Sequence, residues 1–135
     1  MSHRGKTRIL LIDDDEIFCQ LLEKNVSESN ADKKKDDADS QIELSVLNRL
    51  KQLKNFKDFE KTDLILLDYD LYDGTGIEAS EWLLKKAPNI PQVIISSSDR
   101  EVEVDPDGGA VKGFVTKWQG QREFLAAVQK YTMHK

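Results

Sequence analysis

Short apolar runs that recur along the chain constrain its fold more than any other feature. The runs occupy residues 9–12, 64–67, 93–95 and 114–115. Continuous runs of this length are typical of parallel strands that are covered by helices on both faces. We number them strands 1, 3, 4 and 5 of a predicted sheet. Residues 41–46 alternate apolar and polar side chains instead, which predicts an edge strand, strand 2.

The segments between these runs carry apolar residues at helical spacing. The spacing predicts helices over residues 17–26, 50–56, 77–87 and 124–131. Strands that alternate with helices predict an α/β fold in which a parallel sheet is built from right-handed crossovers. We therefore expect one doubly wound α/β domain over residues 9–132, with short tails at residues 1–8 and 133–135.

Two segments do not fit this alternation. Residues 27–40 contain a charged run without any large apolar side chain, so we predict a mobile insertion there, with a helical extension of the first helix as the alternative. Residues 99–109 contain Pro106, Gly108 and Gly109, which disfavour a helix. The helix between strands 4 and 5 is therefore expected to be short or missing, with an irregular segment in its place.

Composition excludes several classes of protein. The chain has 135 residues and a net charge of −5, with its acidic residues concentrated between positions 13 and 111, which disfavours direct binding of nucleic acid. No apolar run is long enough to cross a bilayer. The single cysteine, Cys19, cannot form an internal disulfide. We predict a cytoplasmic protein without a membrane partner.

Polar residues follow the predicted strands at their carboxyl ends. Asp13 and Asp14 follow strand 1, Asp68 follows strand 3, Ser96 follows strand 4, and Lys117 follows strand 5. In an open α/β sheet these ends meet where ligands bind. Clustered carboxylates repel one another by about 4 kcal/mol per close pair at an effective dielectric constant of about 20. A divalent cation and Lys117 would relieve that repulsion, and oxygen ligands favour Mg²⁺.

Taken in order, these motifs resemble the receiver (CheY-like) domain of two-component response regulators. The resemblance rests on Leu-Ile-Asp-Asp-Asp at residues 11–15, Leu-Leu-Asp-Tyr-Asp-Leu-Tyr-Asp-Gly-Thr-Gly at residues 66–76, Ser96, and Gly-Phe-Val-Thr-Lys at residues 113–117. It covers residues 9–131. It implies a flavodoxin-like five-stranded parallel sheet with the strand order 2-1-3-4-5.

The resemblance also implies roles for the acidic residues. Asp68 would be the phosphoacceptor. Asp13 and Asp14 would hold Mg²⁺ together with Asp68 and the backbone carbonyl of Asp70. The phosphoryl group would come from a sensor histidine kinase or a histidine phosphotransfer protein, and the domain would be a signalling module rather than an enzyme.

Three further residues take switching roles by the same resemblance. The hydroxyl of Ser96 would follow the phosphoryl group, Lys117 would pair with it, and Phe114 would be the aromatic residue that changes position. This change would control an output protein that the sequence does not identify.

The chain departs from the receiver pattern at two positions. Tyr72 and Trp118 stand where the family commonly has proline. A cis peptide bond before a residue other than proline costs about 3–4 kcal/mol, so the bond between Lys117 and Trp118 is expected to be trans.

A haloacid-dehalogenase-like phosphohydrolase is the alternative. Residues 66–70 resemble the nucleophile motif of that family, with Asp68 as the nucleophile and Asp70 as the acid/base. That family needs metal-binding acids after the lysine, and only Glu123 lies beyond Lys117. The sequence therefore favours the receiver interpretation.

Overall fold

The main sheet of the protein has five parallel strands. The computed structural model describes residues 7–31, 41–71, 74–96, 111–117 and 121–131. The strands of the sheet are β1 (Thr7–Ile12), β2 (Ile42–Leu47), β3 (Leu64–Asp68), β6 (Gln92–Ser96) and β7 (Val111–Thr116). Their order is β2-β1-β3-β6-β7, and every neighbouring pair is parallel. Counting only the strands of this sheet, the order is 2-1-3-4-5, which confirms the predicted fold class.

A separate two-stranded antiparallel ladder lies between β3 and the helix that follows it in the chain. It consists of β4 (Asp70–Leu71) and β5 (Gly74–Thr75). The sequence pattern gave no indication of it, because each strand has only two residues.

Among the described residues, three α-helices cover the sheet: α1 (Glu16–Ala31), α2 (Gly76–Lys86) and α3 (Gln121–Gln129). Phe18 of α1 and Phe124 of α3 pack with Leu11 on one face of the sheet, and Leu83 of α2 packs with Leu10 on the other. Successive strand residues point to opposite faces. Both faces are buried, which explains why the strand runs are continuously apolar. Within the described residues, no helix has the length and apolar character needed to cross a membrane.

Helix α1 continues into the segment that we predicted as a mobile insertion over residues 27–40. It ends at Ala31, so that prediction is wrong for residues 27–31, where the helical alternative holds. The physical reason is a clamp outside the local sequence. The Asn30 side-chain amide donates to the carbonyl of Ile42 and accepts from the Ile42 backbone N–H, both at 2.9 Å. These bonds fasten the end of α1 to the start of β2.

The predicted α-helix over residues 50–56 is also wrong in type. A 3₁₀ helix, Leu50–Asn55, stands there, and a second one, Phe59–Lys61, follows. The apolar residues of the first repeat every third position, which matches the three residues per turn of a 3₁₀ helix. Oε1 of Gln52 accepts hydrogen bonds from the backbone N–H groups of Asn48 at 2.7 Å and Arg49 at 3.0 Å. This cap fixes the start of the 3₁₀ helix.

The remaining boundary predictions concern the ends of the domain and the segment before β7. Strand β1 begins at Thr7, so the predicted tail over residues 1–8 is two residues too long. The rest of that tail, residues 32–40 of the insertion, the irregular segment over residues 99–109, Tyr72, Trp118 and the tail over residues 133–135 lie outside the described residues.

A close approach explains the glycine in β7. A Cβ atom at Gly113 would lie 2.7 Å from Cε1 of Tyr131 and still closer to Cζ and the hydroxyl oxygen of that ring. Tyr131 follows α3 and packs against the core. The ring therefore occupies the space that any other residue at position 113 would need.

We predict that Gly113→Ala destabilises the domain by about 1–3 kcal/mol, because the added methyl group forces the Tyr131 ring out of its packed position. The measurement is urea unfolding followed by circular dichroism. In a Tyr131→Ala background the same substitution should cost much less. An equal cost in both backgrounds would show that the ring is not the cause.

Candidate functional site

Charged side chains from three strand ends meet at the carboxyl edge of the sheet. Asp13 directly follows β1, Asp68 ends β3, and Lys117 directly follows β7. The Nζ atom of Lys117 lies 2.7 Å from Oδ2 of Asp13 and 3.4 Å from Oδ2 of Asp68. All three side chains are buried. The structure thus brings together residues that are far apart in the sequence.

Asp14 completes an acidic cluster. Carboxylate oxygens of Asp13, Asp14 and Asp68 all lie within 4.8 Å of one another, and Asp14 is the partly exposed member. Three carboxylates face one ammonium group, so an excess of negative charge remains. Apart from the ion pair with Lys117, Oδ2 of Asp13 has no hydrogen-bond donor among the described residues. Clustered oxygen atoms with spare acceptor capacity suit a hard divalent cation.

Besides the ion pair with Lys117, four hydrogen bonds with described residues hold Asp13 in place. Its backbone N–H donates to the carbonyl of Leu47 at 2.9 Å, and its Oδ1 accepts from the backbone N–H of Asp15 at 2.9 Å. Its carbonyl accepts from Nδ2 of Asn48 at 3.1 Å and from Sγ of Cys19 at 3.4 Å. Both the backbone and the side chain of Asp13 are therefore fixed before any ligand binds.

Asp15 caps helix α1. Its Oδ1 accepts a hydrogen bond from the backbone N–H of Phe18 at 3.1 Å, the contact expected of an N-cap aspartate. The positive end of the helix therefore begins beside the acidic cluster, where it stabilises negative charge.

Lys117 is positioned by its backbone and by an aromatic ring. Its backbone N–H donates to the carbonyl of Ser96 at 2.8 Å. Its Nζ atom lies 4.8 Å from the centre of the Phe18 ring, which meets Phe124 edge-to-face at 5.3 Å. These contacts place the ammonium group between carboxylates and an aromatic face.

The ammonium group of Lys117 stays protonated. Burial lowers the pKa of Lys117, but the ion pair with Asp13 and the field of Asp68 outweigh this effect, and the net pKa lies above its ordinary value.

Cys19 is a hydrogen-bond donor rather than a reactive thiolate. Burial, reinforced by the charge of Asp13, raises the pKa of Cys19 to about 12. The thiol is therefore protonated at neutral pH and can donate to the Asp13 carbonyl.

The other predicted site residues occupy neighbouring positions. Ser96 is buried at the end of β6. Asp70 begins β4, and the backbone of Phe114 in β7 pairs with Ile94. The side chains of Asp70 and Phe114 lie outside the part of the chain that the structure describes. Their roles, like those of the other site residues, stay predictions.

The structure adds two residues that the sequence reasoning missed. Phe18 falls within the helix predicted over residues 17–26, and no local pattern places it over Lys117. Asn48 directly follows β2, just as Asp13 directly follows β1. Asn48 could have been identified by looking for polar residues directly after every strand, the edge strand included.

Sequence and structure comparisons point to one family. The model of the response regulator receiver domain matches residues 9–129. No curated protein matches the chain by sequence. Neither comparison supports the phosphohydrolase alternative.

Three solved structures show the same fold. The non-phosphorylated receiver domain of HemR from Leptospira biflexa is 20% identical, with 96% of this chain and 97% of that one covered at a TM-score of 0.72. TrrA from Thermotoga maritima, in complex with Mg²⁺ and BeF, is 21% identical over 93% of this chain and 98% of that one, with a TM-score of 0.70. A complex of the histidine kinase ThkA with TrrA matches at 22% identity over 93% and 97%, with a TM-score of 0.65.

The family match runs from within β1 to the end of α3 and so includes every strand end that carries the charged cluster. The chain belongs to the response regulator receiver domain family.

Proposed function

We propose that this domain accepts a phosphoryl group on Asp68 in two-component signal transduction. The observation that carries the proposal is the buried cluster in which Oδ2 of Asp68 lies 3.4 Å from Nζ of Lys117, beside Asp13 and Asp14. The donor would be a histidine kinase or a histidine phosphotransfer protein. The complex of TrrA with the kinase ThkA supports this class of partner.

The chemistry is a direct transfer between two side chains. An oxygen atom of Asp68 forms a bond to the phosphorus of a phosphohistidine while the phosphorus–nitrogen bond breaks, and the imidazole keeps the electron pair. The rate of such a transfer depends mainly on the positioning of the reacting groups and on the neutralisation of their charge. Lys117 supplies one fixed positive charge next to Asp68 and pairs with the phosphoryl oxygens afterwards.

The acidic cluster fits Mg²⁺ as the second source of positive charge. Asp13, Asp14 and Asp68 would hold the ion together with the backbone carbonyl of Asp70. The spare acceptor capacity of Asp13 Oδ2 and the negative excess of the cluster support this assignment. When bound, Mg²⁺ neutralises phosphoryl oxygens. The complex of TrrA with Mg²⁺ and BeF is consistent with the same cofactor.

Switching would start at Ser96. This residue is buried at the end of β6, where its carbonyl accepts the backbone N–H of Lys117. We assign its hydroxyl as a donor to the phosphoryl group, with Phe114 on the adjacent strand following into vacated space. The altered surface would then control an output protein.

We expect acetyl phosphate with Mg²⁺ to add the mass of one phosphoryl group to the wild-type domain, as measured on the intact protein. Asp68→Asn should gain nothing, because it lacks the nucleophilic carboxylate. Asp58→Asn, an exposed position, is the matched control and should behave as wild type. Phosphorylation of Asp68→Asn, or none of wild type, would contradict the proposal.

The metal assignment predicts that Asp14→Asn weakens Mg²⁺ binding about tenfold or more, because it removes a charged oxygen ligand without touching the ion pair of Lys117. Isothermal titration calorimetry near neutral pH measures the affinity. Glu16→Gln removes the same charge from an exposed position nearby and should leave the affinity nearly unchanged. Equal losses in both variants would indicate a diffuse charge effect instead of a site.

Lys117→Met should destabilise the domain at neutral pH by about 3–5 kcal/mol, because it leaves buried carboxylates without their cation. The folded-state pKa of Lys117 is raised, so its contribution is complete below the unfolded value of about 10.4 and is lost as the pH rises through the folded value. The stability gap between wild type and variant should therefore narrow at alkaline pH.

Urea unfolding at neutral pH and at about pH 11 measures this gap. Lys24→Met, on the exposed side of α1, is the control and should show little loss at either pH. A gap that stays constant with pH would contradict the role of the Lys117 charge.

A further inference from the structure

A groove lies on the face of the sheet opposite α1 and α3. It separates the 3₁₀ helix Leu50–Asn55 from α2 and has a volume of about 290 Å³. This volume is at the lower limit of pockets that hold small molecules, and it suits one or two side chains of another protein.

The groove has an apolar floor. Leu50 and Leu53 come from the 3₁₀ helix, and Ala79 and Trp82 come from α2. Leu53 and Ala79 are buried in the core, whereas Leu50 and Trp82 are half-buried and remain partly accessible. An apolar side chain that entered the groove would bury the exposed parts of these two residues.

Aromatic contacts hold Trp82 in position. The ring centre of Phe59 lies 6.4 Å from that of Trp82 and 4.9 Å from that of Phe56, with the two phenylalanines edge-to-face. A wall that is already ordered loses little entropy when a ligand binds. The groove is therefore preorganised on the side of Trp82.

The rim of the groove is basic. Lys51 and Lys54 both line it and are exposed. In a 3₁₀ helix, side chains three positions apart lie above one another, with a rise of about 6 Å per turn. The two lysines therefore form a row beside the row of Leu50 and Leu53.

The basic character extends along this segment. Arg49 and Lys57 flank the lysine row, and residues 48–57 contain no acidic side chain, although the whole chain has a net charge of −5. Glu78 on α2 is the acidic residue that lines the groove. Two lysines against one glutamate give the rim the opposite sign to the protein as a whole.

We propose that this groove docks an acidic segment of a partner protein, with one aromatic or aliphatic side chain inserted between Leu50 and Trp82. Two carboxylates about 6 Å apart, as at positions i and i+4 of a helix, match the spacing of Lys51 and Lys54. The local positive charge of the two rim lysines is complementary to such an acidic segment. The interaction needs neither Mg²⁺ nor phosphorylation, so it goes beyond the phosphoacceptor function.

The test is selection of binding peptides from a random peptide display library, with the purified domain as bait and without Mg²⁺. Selected peptides should converge on acidic residues around one apolar anchor. Their affinity is then measured by the fluorescence of Trp82 in a Trp118→Phe background, which leaves a single tryptophan.

Two charge reversals form a matched pair for this measurement. Lys54→Glu changes the rim and should weaken binding of the selected peptides by about tenfold or more. Lys24→Glu makes the same charge change at an exposed position of α1, on the opposite face of the sheet. It should leave the affinity within about twofold of the wild-type value. The emission of Trp82 should change on saturation.

Several results would overturn the proposal. One is a selection that yields no peptides, or peptides without enrichment of acidic residues. Another is that Lys54→Glu and wild type bind the selected peptides with equal affinity. A third is unchanged Trp82 emission at saturation. A dimer of the domain alone that Lys54→Glu dissociates would overturn it in favour of a second copy. The same measurements on Asp68→Asn should match wild type, so this proposal and the phosphoacceptor proposal fail or stand separately.

Discussion

The ion pair between Lys117 and Asp13 is the interaction on which the rest of the site depends. Taking both charges out of water costs several kcal/mol for each ion, and only close, well-supported contacts offset that cost. The 2.7 Å contact, the second carboxylate of Asp68 and the ring of Phe18 provide this support. Because the three charged residues stand at the ends of β1, β3 and β7, the sheet itself fixes the distances in the site.

The fold and most of the charged cluster could be predicted because both follow from the same property of the sheet. Strands buried on both faces must be continuously apolar, so residues 9–12 and 64–67 stand out without any knowledge of their partners. Polar side chains tolerated at the ends of such strands must lie at the edge of the sheet, which identified Asp13, Asp68 and Lys117. Neither step required a tertiary contact to be known in advance.

What could not be predicted depends on single contacts between distant residues. The end of α1 is set by two hydrogen bonds between Asn30 and Ile42, and local composition alone favours a loop there. The spacing of three in the segment over residues 50–56 is compatible with either helix type, and the cap by Gln52 becomes visible only in the structure. In both places a long-range or side-chain contact outweighs local propensity.

Hydrogen bonds join the 3₁₀ helix Leu50–Asn55, which follows β2, to the acidic cluster. Nδ2 of Asn48 donates to the carbonyl of Asp13, while the backbone N–H groups of Asn48 and Arg49 both donate to Gln52 in the 3₁₀ helix. A full α-helix would begin with its first backbone donors unpaired unless side chains or water satisfied them. Here Gln52 accepts from the backbone N–H of the N-cap residue Arg49 and from that of Asn48 before it, while the Asn48 side chain braces Asp13. The short 3₁₀ helix therefore replaces the expected helix without loosening the residue that anchors the site.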